Sequence, residues 1–309
     1  GGCANRALGT GTTISGGLSS IAKCSFSTIG GGIINKNRAD SGTIGGGCRN
    51  VMTENSAHST IGGGFCNLTS TQFSVVAGGQ CNQITGGTCL SGSSILGGFC
   101  NHARGNFSTI GGGQYNQIQL GDNNAFIGGG ACNTASDFGF IGGGQDNCIS
   151  PSSIYATLGG GIDNCVGASQ GFIGGGFCNK LKTGAVCGTI AGGFCNHIEC
   201  STFWNTIAGG NANYISVCNR ASFVGGGCRN CCIYGGGPSG DFNAGWNTIP
   251  GGKQNVICGN LSTNFNSIGG GCQNKITECV QFGTVAGGTT NCIDSPYATA
   301  GTIGGGRRN

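Results

Sequence analysis

The sequence predicts an all-β chain built as a parallel β-solenoid, or β-roll, of about 18 coils of 15–19 residues. Three observations carry this. One motif, Thr-Ile-Gly-Gly-Gly-x-x-Asn, recurs from end to end, and its central aliphatic residue comes back most often after 15 or 17 positions. A period that short holds one turn of a solenoid and no independent domain. Usage is also skewed, with Gly 70, Cys 22, Pro 4 and only 8% charged residues in 309, against about 7% glycine and about 25% charge in ordinary domains.

The elements of a coil follow from its positions. The anchors are Ile14, Ile29, Ile44, Ile61, Val76, Ile95, Ile110, Ile127, Ile141, Leu158, Ile173, Ile190, Ile207, Val224, Ile249, Ile268, Val285 and Ile303. Alternation before the anchor, as in Phe107-Ser108-Thr109-Ile110, marks a short strand. Phe26, Phe73, Phe107, Phe138, Tyr155, Trp204, Trp246, Phe265 and Phe282 form an aromatic row three residues before the anchor. A Gly-Gly pair two residues after every anchor implies positive φ or an approach too close for a Cβ. Asn then stands six residues after the anchor in every coil but the first, which has Ser20. The series begins Asn35, Asn50, Asn67, Asn82, Asn101, Asn116, Asn133, Asn147, Asn164, Asn179 and Asn196. Asn suits turns, so Gly-Gly-x-x-Asn reads as the corner of each coil, with the amides stacked in a ladder. Two positions beyond it, Ile84, Ile118, Ile149, Val166, Leu181 and others predict a second strand.

Composition excludes several classes. Glycine lacks the every-third spacing of collagen. With 37% hydrophobic residues and net charge +4, the chain is no solvated polyelectrolyte and carries no nucleic-acid footprint. No apolar run reaches the roughly 20 residues of a membrane span. Residues 1–309 read as a single repetitive domain with an irregular coil at 225–248. Because the chain starts and stops mid-repeat, it is expected to be a segment of a longer array.

Segments such as Phe26-Ser27-Thr28-Ile29-Gly30-Gly31-Gly32 and Phe107-Ser108-Thr109-Ile110-Gly111-Gly112-Gly113 resemble the YadA-like head repeats of trimeric autotransporter adhesins and related viral and phage fibre repeats. The resemblance spans essentially the whole chain. It implies a left-handed β-roll in which three identical chains pack side by side. This chain differs in its turn Asn, its longer coils and its cysteines.

The cysteines keep register with the repeat. Cys66, Cys81 and Cys100 stand five residues after successive anchors, as do Cys178 and Cys195, and Cys148 and Cys165 stand seven after. In-register neighbours in stacked strands have Cα atoms about 4.8 Å apart, within disulfide range. A disulfide ladder, a set of small apolar side chains and metal binding all remain open, with Cys228-Arg229-Asn230-Cys231-Cys232 the best metal candidate of the cysteines. Asp146 and Asp163 share a coil position, as a cation pair, as glycosidase carboxylates or as a solvated pair. His58, His102 and His197 read as turn residues. Asn67, Asn106 and Asn260 begin glycosylation triplets.

The function expected is structural and non-enzymatic: a rigid fibre segment on a virion or cell surface, outside the reducing cytosol because of its cysteines. No cofactor is expected, and the partners are copies of itself, as a homotrimer or filament. An adhesin head binding host receptor, matrix or glycan is the alternative, and a glycan-degrading spike the third.

Overall fold

Coils of about 15 residues leave room only for very short strands, and most strands of the protein are two residues long. A computed structural model describes residues 1–86, 92–199, 202–217, 219–234, 245–259, 265–277, 280–294 and 299–309. The chain divides into two units, Gly1–Asn147 and Cys148–Asn309. Each is an all-β parallel solenoid, with no helix among the described residues, and none long and apolar enough to cross a membrane.

In the first unit one ladder joins the strands that end at the anchors, so that Thr28 pairs with Thr43 and Ile29 with Ile44, and Thr43 and Ile44 pair in turn with Thr60 and Ile61. A second ladder joins the strands after the Asn, with Val51 opposite Leu68 and Met52 opposite Thr69. The second unit repeats both, as in Ile173 with Ile190 and Leu181 with Ile198.

The sequence predicts two strands per coil, and the structure adds a third contact line. One residue four places after each anchor bridges to its equivalent in the next coil, running Leu18, Ile33, Cys48, Phe65, Gln80, Phe99 in the first unit and Ile162, Phe177, Phe194, Asn211 in the second. A single bridge has no period-2 pattern, and so left no mark in the sequence.

The interior is one side chain deep. Every anchor from Ile29 to Val285 is fully buried, as are the second-strand residues Ile84, Ile118, Val166, Leu181 and Ile215. Burying an aliphatic side chain of this size contributes about 1.5–3 kcal/mol. Cys232 occupies the same inward position and is fully buried, where it acts as a small apolar side chain.

The aromatic row is not part of this interior. Phe26, Phe73, Phe107, Phe138, Tyr155 and Trp204 all have φ between 52° and 61°, so they sit in a left-handed corner and not on the alternating strand that the sequence suggests. The residue that follows each of them turns inward, and the rings point to solvent, Phe26 being 65% exposed and Phe107 57%.

The Gly-Gly pair also divides. The second glycine has strongly positive φ, +91° at Gly64 and +90° at Gly161, and a Cβ there would lie about 2.1 Å from the carbonyl oxygen of the equivalent glycine in the next coil. A Cβ on the first glycine meets nothing within 4 Å at Gly31, Gly46, Gly63, Gly78 and Gly97. Close approach is a demand of the second position alone.

Candidate functional site

The turn asparagines are among the most buried polar residues of the chain. Asn67 shows the arrangement. Its Nδ2 donates to Gly63 O and to Gly79 O of the next coil, both at 2.9 Å, and its Oδ1 accepts from the backbone N–H of Asn82 at 3.0 Å. Asn50, Asn101, Asn116 and Asn133 do the same in the first unit, and Asn179 and Asn196 in the second. Asn35, Asn82, Asn147 and Asn164 hold the glycine carbonyl of their own coil in the same way. The chain turns at this corner, where the backbone ladder breaks and its polar groups need side-chain partners. Ser20, the exception, keeps only the acceptor half, its Oγ taking the Asn35 N–H at 3.3 Å.

A matching ladder, which the repeat pattern does not announce, lines the other corner. Two residues before the anchor, Ser59 Oγ accepts from Ser74 N–H at 2.9 Å, and Ser93 Oγ accepts from Ser108 N–H at 3.2 Å. In the second unit Asn205 Oδ1 accepts from Ser222 N–H and Ser222 Oγ from Asn247 N–H. All are buried. At both corners a residue with φ near +55° precedes the inward position, which at the second corner holds such an acceptor in some coils and Gly or Ala in others, as at Gly42, Ala125, Gly139, Ala156, Gly171 and Gly188. The recurring Ser of Ser-Thr-Ile was the available signal.

The described cysteines are free thiols. Cys66, Cys81, Cys100, Cys178 and Cys195 occupy the left-handed corner after the Gly-Gly pair, with φ of 52–57°. Burial pushes the Cys66 and Cys81 thiols up, and the next thiol in the row adds to it in each case. Burial likewise raises Cys178, helped by its hydrogen bond with Cys195. In the cluster at 228–232, burial pushes Cys231 up to about 12. Among the described residues, no group of three or more His, Cys, Asp or Glu side chains is placed to hold a metal ion.

Cys148 and Cys165 differ from the other rows. They are register partners on adjacent strands of the second unit, on the outward face next to the buried Ile149 and Val166. Lys180 continues the row beyond Cys165. The hydrogen bond from Cys148 holds Cys165 low, with Ser150 and the Lys180 charge acting in the same direction against burial. The same hydrogen bond and burial push Cys148 up. Ser150 Oγ lies 3.7 Å from Cys165 Sγ. Beside them is a cavity of about 380 Å³ lined by Ser150, Cys165, Gly167, Lys180, Leu181, Lys182 and Thr183.

Asp146 and Asp163 fall in different units. Each is exposed and at positive φ, 54° in both, and Asp146 accepts from Gln145 Nε2 at 3.0 Å. Of the glycosylation candidates, Asn67 is corrected: its Nδ2 is fully buried and already donates twice, which leaves no room for a glycan in the folded chain. Asn106 Nδ2 donates to Asn123 Oδ1 at 2.9 Å, and Asn260 lies outside the described residues.

His58 is a corner residue, stacked on Phe73 with ring centroids 5.3 Å apart. His102 and His197 lie on strands instead, His102–Ala103 and His197–Ile198. Arg104 lies against the His102 ring, with Nδ1 at 3.1–3.2 Å, and Thr85 Oγ1 shares a hydrogen bond with Nε2 at 2.6 Å. Burial first, then the Arg104 charge, lowers this imidazole to about 4. The folded chain therefore refuses a proton that the unfolded chain accepts below about 6.5. Stability is expected to fall as pH drops from about 6.5 to about 4, and to level off below. Solvent screening of a half-buried ring keeps the loss near 1 kcal/mol. Protection factors of the Arg104 and Gln117 amides should fall across this range in the parent and hold in His102→Gln, a local readout that His197, also lowered by burial, does not enter.

A scan against protein-family models and a search of curated proteins find no match for this chain.

Proposed function

We propose that the chain is a structural, non-enzymatic segment of a rigid surface fibre on a virion or cell, with copies packed side by side as a homotrimer. The observation that carries this reading is the exposure of ordered apolar rows on a solenoid whose own core is one side chain deep. In the second unit Trp246, Phe265 and Phe282 form a continuous stack, with centroid separations of 4.8 and 5.6 Å and nearly parallel rings. Phe177 and Phe194 stack at 5.2 Å on the third contact line, as do Phe126 and Phe140 on the anchor ladder of the first unit. These rings are 37–51% exposed, and large exposed apolar rows mark association surfaces. A neighbouring copy would present the same rows at the same axial repeat, so contacts recur coil after coil.

Cross-linking fits the same reading in an extracellular or particle setting. The Cys66, Cys81 and Cys100 row has an odd number of thiols, so one internal pair leaves a thiol for a neighbouring copy. An adhesin head is the second reading, favoured by the Trp246 stack, since flat aromatic faces also suit sugar rings.

Light scattering on the chain, before and after reduction, tests the assembly. Three times the chain mass is expected in both states, and a single-chain mass after reduction sinks the trimer. Thiol titration of the denatured protein should find fewer than the 22 thiols of the sequence; a full complement removes the staples.

A further inference from the structure

The Cys148 and Cys165 pair combines features that a passive staple does not need. The two thiols have unlike surroundings although the repeat makes their positions equivalent: Cys165 lines the cavity and Cys148 does not. One reason is the next residue in the row, since Cys165 has Lys180 on its far side. Another is Gly167, which lines the cavity beside Cys165 and lets the backbone of 181–183 approach closely; a Cβ there would come within 3.0 Å of Leu181 O and Thr183 N. Two lysines line that cavity, Lys182 held by Glu199 at 2.9 Å and Lys180. The space of about 380 Å³ suits a small peptide-sized ligand, and the Lys180 ammonium on its wall, with Lys182 already paired to Glu199, suits one anionic group.

We propose that Cys165 is a site of reversible thiol–disulfide exchange with small anionic disulfides, and that Cys148 resolves the adduct. The Cys165 thiolate attacks one sulfur of the small disulfide RSSR, whose S–S bond breaks to release one thiolate and leave Cys165–S–S–R. Cys148 then loses its proton to solvent and attacks Cys165 Sγ. The mixed S–S bond breaks, the second thiolate leaves, and a Cys148–Cys165 disulfide forms. One small disulfide is reduced to two thiols, while the protein dithiol gives up two electrons and two protons. The modification is stoichiometric and stands apart from whether copies assemble.

Reversibility follows from the strand geometry. Partners in a parallel ladder have Cα atoms about 4.8 Å apart, inside the disulfide range, but their side chains run parallel and keep the Cβ atoms near that same spacing. That exceeds the usual 3.5–4.5 Å, so the closed bond is strained and easily reduced. The groups facing Cys165 are Cys148 and Ser150 from the coil before, Lys180 and Lys182 from the coil after, and Asp163 two residues upstream, whose charge opposes the lysines.

The test uses the full, fully reduced chain and oxidised glutathione at pH 6, with acid quenching, alkylation and peptide mass spectrometry. Cys165 accepts the Cys148 hydrogen bond and has Lys180 on its far side, so it holds more thiolate there than a free cysteine and should react about tenfold faster than free cysteine measured in parallel. The parent should end as the Cys148–Cys165 disulfide. Cys148→Ser, which also loses the thiol hydrogen bond, should react more slowly and stop at the glutathione adduct of Cys165. Lys180→Ala should slow the reaction with oxidised glutathione and spare that with cystamine, a cationic disulfide. A first adduct on Cys148, a rate no higher than free cysteine, or an adduct on Cys165 that persists in the parent overturns the proposal. The parent rate and end product need no variant to fold.

Discussion

Replacing Asn67 by alanine is expected to destabilise its part of the first unit by about 3 kcal/mol, and to speed exchange of the Asn82 amide proton about 100-fold. The side chain is fully buried, and its removal takes an acceptor from Asn82 N–H and donors from Gly63 O and Gly79 O. Gly79 O keeps the Phe65 N–H at 3.0 Å, which limits the loss on that side. Asn82 N–H is worse placed, because Asn82 is fully buried and a buried unpaired donor costs about 1–3 kcal/mol by itself. Stacked repeats lose stability locally, so amide exchange is the proper readout and a single unfolding midpoint is not. The substitutions should rank by function of the amide: Asn67→Ser milder than Asn67→Ala, because a hydroxyl can restore the acceptor as Ser20 does for Asn35. Asn67→Asp keeps the acceptor but sets a carboxylate against two carbonyl oxygens, and should be no better than alanine. Equal protection of Asn82 in all three would show that the amide ladder does not hold the corner.

The anchors and the turn asparagines were legible because each position admits very few residue types. An inward anchor site one side chain deep accepts only Ile, Leu or Val, and a corner that must both donate and accept selects Asn. The left-handed corner residue between them was not legible. It is Ile34, Cys66, Tyr115, Asp146 or Thr290 in different coils, all with φ between 54° and 59°. Its conformation is imposed by a backbone bond to the preceding coil, as from Ile34 N–H to Leu18 O at 2.8 Å, and its outward side chain is free to vary. The aromatic row is misleading for the same reason. Phe107 precedes an alternating Ser-Thr-Ile and continues its pattern, yet it belongs to the corner before the strand. The Ser row behind it mimics the polar half of that alternation when it is a buried acceptor ladder.

Cysteine register was readable from spacing, and it correctly makes Cys148 and Cys165 neighbours. What spacing could not supply is the asymmetry between them. That depends on Lys180, on Gly167 and on the segment 181–183, which line the cavity beside Cys165. Coils with the same anchor spacing differ in such segments, and the segment carries no motif.

The two glycines of a pair should respond to alanine in opposite ways, although the sequence repeats both without exception. At Gly64 the backbone has φ of +91°, and a new Cβ would lie 2.1 Å from Gly79 O and 2.7 Å from Asn67 Nδ2. Gly79 O is main chain in the next coil, fixed by the bridge at Phe65 and the ladder at Asn67, so no flexible side chain can swing aside. Gly64→Ala must push adjacent coils apart or break the Asn67 amide contacts, with an expected loss of about 4 kcal/mol or more, in the range reserved for special backbone positions and overpacking. Gly63 is one residue away, lies outside the positive-φ region and has nothing within 4 Å of its Cβ position. Gly63→Ala should fall within about 1 kcal/mol of the parent, with either sign, since reduced freedom of the unfolded chain favours alanine. Amide exchange at Asn67 and Asn82 reads both variants on the same corner. Should Gly63→Ala prove as damaging as Gly64→Ala, room for a Cβ is not what selects glycine here, and the first glycine must be held by a conformational need that the static corner does not display.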